Sequence, residues 1–247
     1  YVDPTGRYLR IYVFGNHDLG SPETRQLVSD LRNTYIPEAG FPDGTKFYLG
    51  GAPAQGIDLL DAIGSSLPLI ITLIVLITFV ILLRTFRSVV LAIKAIILDL
   101  ISIAVSFAVL VLVFKFGFGT YHLEQLEAWV LVLLFAVLFG LSMDYEIFIV
   151  SRMREAWDRG ASNEEAIREG MRSSGAVVTA AALIFITALT GLITGHFAGL
   201  QQLGVGLAAG VLIDATIIRG LLLPSAMVLL GRWNWWMPGQ GKTPSNT

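Results

Sequence analysis

The sequence has no cysteine, which excludes disulfide frameworks and thiolate metal sites and leaves the redox compartment open. Charge is also scarce: 15% of the 247 residues are Asp, Glu, Lys or Arg, and the formal net charge is −2. Without a basic excess to neutralise a phosphate backbone, nucleic acid is not an expected partner. His122 and His196 stand isolated at loop ends and no HExxH string occurs, so neither a metal nor a cofactor is expected. The chain begins Tyr1-Val2-Asp3-Pro4 with no initiator Met and no basic-then-apolar leader; it reads as a segment of a longer protein.

What is abundant is apolar surface. Hydrophobic residues make up 54% of the chain and the mean hydropathy is +0.69, more than an aqueous fold can bury, so the solvent is largely lipid. A bilayer core of about 30 Å takes about 20 apolar residues per helix. Runs of that length predict five transmembrane helices, at about 64–83, 89–114, 128–150, 173–195 and 200–230, with Pro224 expected to kink the last. The membrane domain is placed at 61–232 and a cytoplasmic tail at 233–247, whose Trp233, Trp235 and Trp236 suit the interface. Arg84, Arg87, Arg152, Arg154, Arg159, Arg168, Arg172, Arg232 and Lys242 gather on one side, against Lys115 on the other. By the positive-inside rule the N-terminal region lies outside and the C-terminus is cytoplasmic.

Residues 1–60 read as part of an external α+β subdomain. Tyr8 to Phe14 and Lys46 to Leu49 look like strands, Ser21-Pro22-Glu23 like a helix start that should end before Pro37, and a helix from about Ala54 runs into the first span. The result is one βαβ unit, whose sheet edges call for further chain. Ser162-Asn163-Glu164-Glu165 opens a short polar helix to about Arg172, read as a connector lying at the membrane surface.

A carboxylate at mid-membrane costs about 2.5–3.5 kcal/mol, so each one demands a reason. Asp144 follows a long apolar approach and precedes Tyr145, whose phenol can donate a hydrogen bond or relay a proton; Phe148 lies one turn on, on the same face. Away from water a carboxyl favours its neutral form, so Asp144 can serve as a proton site. The other reading is a buried carboxylate that fixes helix packing. Glu146, close to Arg152 and Arg154, is placed at the cytoplasmic interface and Lys94 is expected to snorkel there. Asp99 is given a pairing role. Asp214 and Arg219, five positions apart, fall on different helix faces and should each meet a partner from another helix. Thr179, Thr187, Thr190 and Thr194, with Gly175, Gly191 and Gly195, form a small-residue surface suited to close packing and cross-helix hydrogen bonds. Thr179 joins a proton path if it faces Asp144. Gly204, Gly206 and Gly210 make a second packing stripe.

The string GLSMDYEIFIVSRMREAW, Gly140 to Trp157, resembles the middle helix of each half of transporters in the MMPL branch of the RND superfamily. GLAAGVLIDATIIRGLLLPSAMVLLGRWNWWMPG, Gly206 to Gly239, is similar to that family's last helix and tryptophan-rich exit. The resemblance extends over the whole chain and implies the C-terminal half of a twelve-span, pseudo-symmetric secondary transporter in the bacterial inner (plasma) membrane. It implies no enzyme activity, but proton-driven export of lipids or other hydrophobic compounds. It carries the family's proton-relay pair onto Asp144 and Tyr145, with Phe148 as the aromatic neighbour. Membrane lipids, a hydrophobic substrate and an N-terminal half with its own Asp-Tyr pair are the implied partners, and an oligomer is compatible with it. Two departures stand out: Asp99 occupies a position where the family often has Asn, and Ala176 follows Gly175 where a basic residue is common.

Three other readings compete. An intramembrane aspartyl protease could use Asp144 and Asp214, but that class resembles Tyr-Asp and Gly-x-Gly-Asp strings, whereas here the order is Asp144-Tyr145 and Leu212-Ile213 precede Asp214. A rhomboid-like serine protease with Ser142 and His196 lacks the glycine after serine and has its histidine at the far membrane face. A non-exporting sensor or protein-export component of the same fold is separated poorly by the spans.

Overall fold

The computed structural model describes residues 3–5, 7–17, 21–117 and 126–238; Thr120, His122 and Lys242 lie outside them. The chain divides into two compact units, Tyr1–Ala62 and Ile63–Thr247.

In the first unit, helix α1 (Pro22–Asp30) starts where Ser21 accepts a hydrogen bond from the Thr24 N–H at 3.2 Å and Pro22 occupies the first turn, where no amide hydrogen is needed. It does not end before Pro37. A π-helical turn, Leu31–Tyr35, carries the chain into Ile36–Glu38. The wider turn is a way past a residue that can neither donate to the helix ladder nor avoid the carbonyl behind it. Arg32 forms a two-pronged ion pair with Asp58, at 2.5 and 2.9 Å.

The βαβ expectation is not met. Among the described residues there is no strand: the stretches around Tyr8–Phe14 and Lys46–Leu49 are irregular, with Tyr8, Ile11, Phe14 and Tyr48 all exposed. β-type side chains report fitness for a pleated, half-buried surface rather than a backbone preference. Among the described residues no such surface is offered to these two runs.

Five helices are long and apolar enough to cross a membrane: α2 (Ala52–Phe86), α3 (Val89–Lys115), α4 (Ala128–Asp158), α5 (Asn163–Ile193) and α6 (Ala198–Trp235). The first residues of α2 belong to the first unit and the remainder to the second. Helices α3, α4, α5 and α6 pack on one another. The most apolar window of α2 is 6% buried against 44% for that of α4, so α4 is the central helix of the unit and α2 a peripheral one.

Several helices outrun their apolar runs. α4 continues to Asp158, beyond 150, and stops at Gly160, whose φ of +94° lies in the left-handed region that glycine adopts freely. The polar segment from Asn163 is not a separate connector but the first turns of α5. Its capping box joins Ser162 and Glu165 reciprocally: the Ser162 N–H donates to Oε2 at 2.9 Å and the Glu165 N–H to Oγ at 3.3 Å. Once nucleated, the helix meets no proline before the span and simply runs on.

Two glycine contacts explain how closely the helices approach. A Cβ at Gly210 would sit 2.5 Å from Leu138, and one at Gly206 would collide with Leu134, so α6 meets α4 at hydrogen-only positions. The threonine and glycine surface of α5 behaves otherwise. Thr187, Thr190 and Thr194 are exposed and donate to carbonyls three or four residues back in their own helix, and nothing lies within 4 Å of a Cβ at Gly175 or Gly191. Among the described residues the threonines therefore make no cross-helix hydrogen bond, and the one reaching this surface is from Gln201 of α6 to the Gly195 carbonyl, just past the end of α5.

Trp235 is also not an interfacial residue. It is 3% exposed, stacks on Trp157 at 5.1 Å between ring centroids and donates from Nε1 to Asn163 at 3.0 Å. Asn234 donates to the carbonyls of Met227 and Gly231, and Ser88 donates to the Asn234 carbonyl at 2.6 Å. The end of α6 thus ties together the starts of α3 and α5 and the end of α4. Trp233 and Trp236 remain exposed.

Candidate functional site

The polar residues of α3 and α4 fall at helical spacing. Asp99, Ser102 and Ser106 line one face of α3, and Ser142 and Glu146 one face of α4; all five are buried. α6 adds Asp214 and Arg219, at 5% and 3% exposure. These faces meet partway along the three helices, where Ser142 contacts Asp99 and Asp214.

Asp214 and Arg219 each meet a partner on another helix, Ser142 of α4, but they do not fall on different faces, because they also pair with each other. Arg219 Nε donates to Asp214 Oδ2 at 2.7 Å. In an α-helix residues five apart differ by about 140° in direction, but Asp214–Leu222 is π-helical, and its i to i+5 bonding brings the two side chains onto one face. The π stretch ends just before Pro224, which has no N–H to close an ordinary turn there. Proline thus acts here through a widened turn.

Ser142 stands at the centre. Its Oγ lies 2.6 Å from Asp99 Oδ1, 2.8 Å from Asp214 Oδ1 and 2.9 Å from Arg219 Nη2, and Nη2 also donates to the Ser142 carbonyl. The hydroxyl therefore joins α3 to α6 from α4. Asp99 Oδ2, Glu146 Oε1, Lys94 Nζ and Arg219 Nη1 are buried without hydrogen-bond partners among the described residues. Glu146, expected at the interface, is 3% exposed, and Lys94, expected to snorkel, is 7% exposed. Both lie on inward faces, and reach along a helix cannot carry a side chain around it.

Asp144 has a different setting. It lies on the exposed side of α4, and among the described residues no hydrogen bond or ion pair joins it to Asp214. Tyr145 is half-buried, with the Arg219 guanidinium 5.3 Å from its ring centroid. This cation–π contact is a physical link between the exposed aspartate's neighbour and the buried cluster. Phe148 is 36% exposed, with the Arg152 guanidinium 5.9 Å from its ring centroid. Thr179 is exposed on α5. Of the residues singled out in the sequence, the fold brings together Asp99 and Asp214; it joins Tyr145 to them through Arg219 and leaves Asp144, Phe148 and Thr179 on outer faces.

Ser142, Arg219 and Glu146 are the residues that sequence reasoning underrated. The four-residue spacing of Ser142 and Glu146 is a signal that could have found the α4 face, but the contact between Asp214 and Arg219 depends on a local π turn that periodicity does not reveal.

The chain matches the MMPL family over residues 3–246. It is 37% identical over 194 residues to the Mycolic acid-containing lipids exporter MmpL11 of Mycolicibacterium smegmatis, covering 77% of this chain and 20% of that protein. It is 38% identical over 201 residues to the Trehalose monomycolate exporter MmpL3 of Mycobacterium tuberculosis, covering 80% and 21%. With the Heme uptake protein MmpL11 of the same organism it shares 36% identity over 225 residues, covering 90% and 23%. The chain thus spans about a fifth of the length of the curated relatives it matches. Five membrane-crossing helices and a match along nearly all of its residues make this chain a member of the MMPL family.

Proposed function

We propose that the chain is the C-terminal membrane half of a transporter that exports lipids or other hydrophobic compounds across the bacterial inner membrane, driven by the proton gradient. The observation that carries the reading is Asp144. A carboxylate on the outer face of a membrane helix, with no hydrogen-bond partner among the described residues, is costly unless another element covers it or protons reach it. Tyr145 connects that position to the Arg219 cluster, so a change of charge at Asp144 can be felt in the packed interior. Transporters built from repeats place their coupling site near the midplane between the halves, and a matching half would cover Asp144. Two of these relatives are named as exporters of mycolic acid-containing lipids and of trehalose monomycolate, which supports the substrate class; the third is named for heme uptake.

The aspartyl protease reading is less well supported. Asp214 engages Arg219 with one oxygen and Ser142 with the other, while a proton-sharing dyad needs both carboxyls free to face each other.

The test is Asp144→Asn in the full-length protein. The substitution keeps size and hydrogen-bonding capacity but removes the titrating proton, so export should be abolished at normal abundance, and Tyr145→Phe should impair it more mildly. Export by the Asn variant equal to that of the parent under an imposed gradient rules the role out. The orientation belongs to the same proposal, with the Gly160 turn and its basic neighbours in the cytoplasm. A cysteine at Gly160 should resist an impermeant thiol reagent on intact cells; ready labelling there reverses the topology.

A further inference from the structure

We infer that Asp99 is a second proton-carrying group of this chain, exchanging its proton with Asp214 through the Ser142 hydroxyl. The inference rests on the proton-coupled reading above and adds a site inside the helix bundle to the exposed Asp144.

The argument is a count of hydrogens. A serine hydroxyl has one hydrogen to donate and two lone pairs to accept with. Ser142 Oγ has three polar neighbours: Arg219 Nη2 at 2.9 Å, Asp99 Oδ1 at 2.6 Å and Asp214 Oδ1 at 2.8 Å. A guanidinium only donates. One lone pair is therefore taken by Arg219, and the single hydroxyl hydrogen serves one aspartate. The other aspartate can bond Oγ only if it brings a hydrogen itself. With one proton on the carboxyl pair, all three contacts are hydrogen bonds and the hydroxyl's capacity is filled. With none, two anionic oxygens crowd one hydroxyl in a place shielded from solvent.

Charge agrees with the count. The buried groups that face the cluster are Asp99 and Lys94 from α3, Glu146 from α4, and Asp214 and Arg219 from α6, three acids against two bases. Tyr145 adds its ring beneath Arg219. Neither α2 nor α5 contributes a buried charged side chain among the described residues. One proton brings the set to neutrality. Asp214 has the cation, through Arg219 Nε at 2.7 Å, whereas Asp99 Oδ2 is buried with no partner among the described residues. The proton therefore rests on Asp99.

The exchange balances. Asp99 Oδ1–H gives its proton to Ser142 Oγ as the original Ser142 proton passes to Asp214 Oδ1. Asp99 becomes the carboxylate, Asp214 the acid, and the serine is again a hydroxyl, now donating toward Asp99. The same three contacts serve both states. What changes is Arg219, which faces a carboxylate in one state and a neutral acid in the other. Its ion pair spans the π-helical turn of α6, so the proton's position is felt by the widest-wound stretch of that helix.

The experiment is infrared difference spectroscopy of the full-length protein in lipid, reading the C=O stretch of protonated carboxyls as pH is changed. A titrating band should be lost in Asp99→Asn, kept in Asp144→Asn, and shifted in frequency by Ser142→Ala. The side-chain amide that Asp99→Asn introduces can donate to Ser142 Oγ as the acid does, so that variant should fold. Should it not, Ser142→Ala decides alone: a shifted band supports the site, and an unmoved one overturns it. An unchanged spectrum in Asp99→Asn also overturns it. Export that ignores the gradient, with the Asp99 band present, would sink the proposed function and leave this proton site standing.

Discussion

Helix α4 presents two faces that use the same chemistry to opposite ends. On the inner face Ser142 and Glu146 are buried among charges from α3 and α6, and Ser142 has every hydrogen-bonding position occupied. On the outer face, two residues along, Asp144 is exposed and its side chain bonds to none of the described residues. The inner carboxylates are held by geometry, so a proton can pass between them through Ser142, but removing a group breaks the packing. The outer one is free of the packing, and the group itself can be replaced without rebuilding the bundle. The contrast implies that mutations on the two faces should separate stability from transport.

The largest effect is expected at Arg219. Arg219→Met leaves Asp214 buried without its cation and removes two hydrogen bonds to Ser142, and should cost about 3–5 kcal/mol of stability. Thermal or denaturant unfolding of the purified protein, followed by tryptophan fluorescence, measures it. A loss below about 1 kcal/mol, the range of an exposed pair, would erase the distinction between the faces.

A smaller effect sharpens the same contrast on α5. A Cβ at Gly170 would collide with the Met153 side chain and lie 3.0 Å from its backbone nitrogen, whereas at Gly175 it would meet nothing within 4 Å. Gly170→Ala should destabilise by about 1–3 kcal/mol through overpacking. Gly175→Ala should range from neutral to about 1 kcal/mol stabilising, through helix propensity alone. Equal shifts in melting temperature for the two variants would contradict the packing described.

The smallest effect belongs to Asp144. Because it gives up no bond, Asp144→Asn should alter stability by no more than about 0.5 kcal/mol, measured in the same unfolding assay, while export falls. A loss comparable to that of Arg219→Met would move Asp144 from the coupling site to the packing.

Although the closeness of Glu146 to Arg152 and Arg154 pointed to the interface instead, the polar faces of α3 and α4 were written in the spacing of Asp99, Ser102 and Ser106 and of Ser142 and Glu146, because side chains three, four and seven apart share a helix face. The pairing of Asp214 with Arg219 was not, since five-residue spacing separates them in any regular helix and a π turn before Pro224 reunites them. The burial of Trp235 was equally hidden: an indole suits a membrane interface or a stack on Trp157, and only the position of α4 chooses between them.

Composition and periodicity by themselves determined that this chain carries five runs long and apolar enough to cross a membrane, because lipid tolerates only uncharged runs of sufficient length with their backbone bonded internally. They also determined which residues would be expensive enough to need a purpose. Which carboxylates share a hydroxyl, which finds a cation and which is left open was decided by tertiary structure alone. Those outcomes depend on distances of about 3 Å between different helices, and such distances are set by glycine-close packing and a locally widened turn.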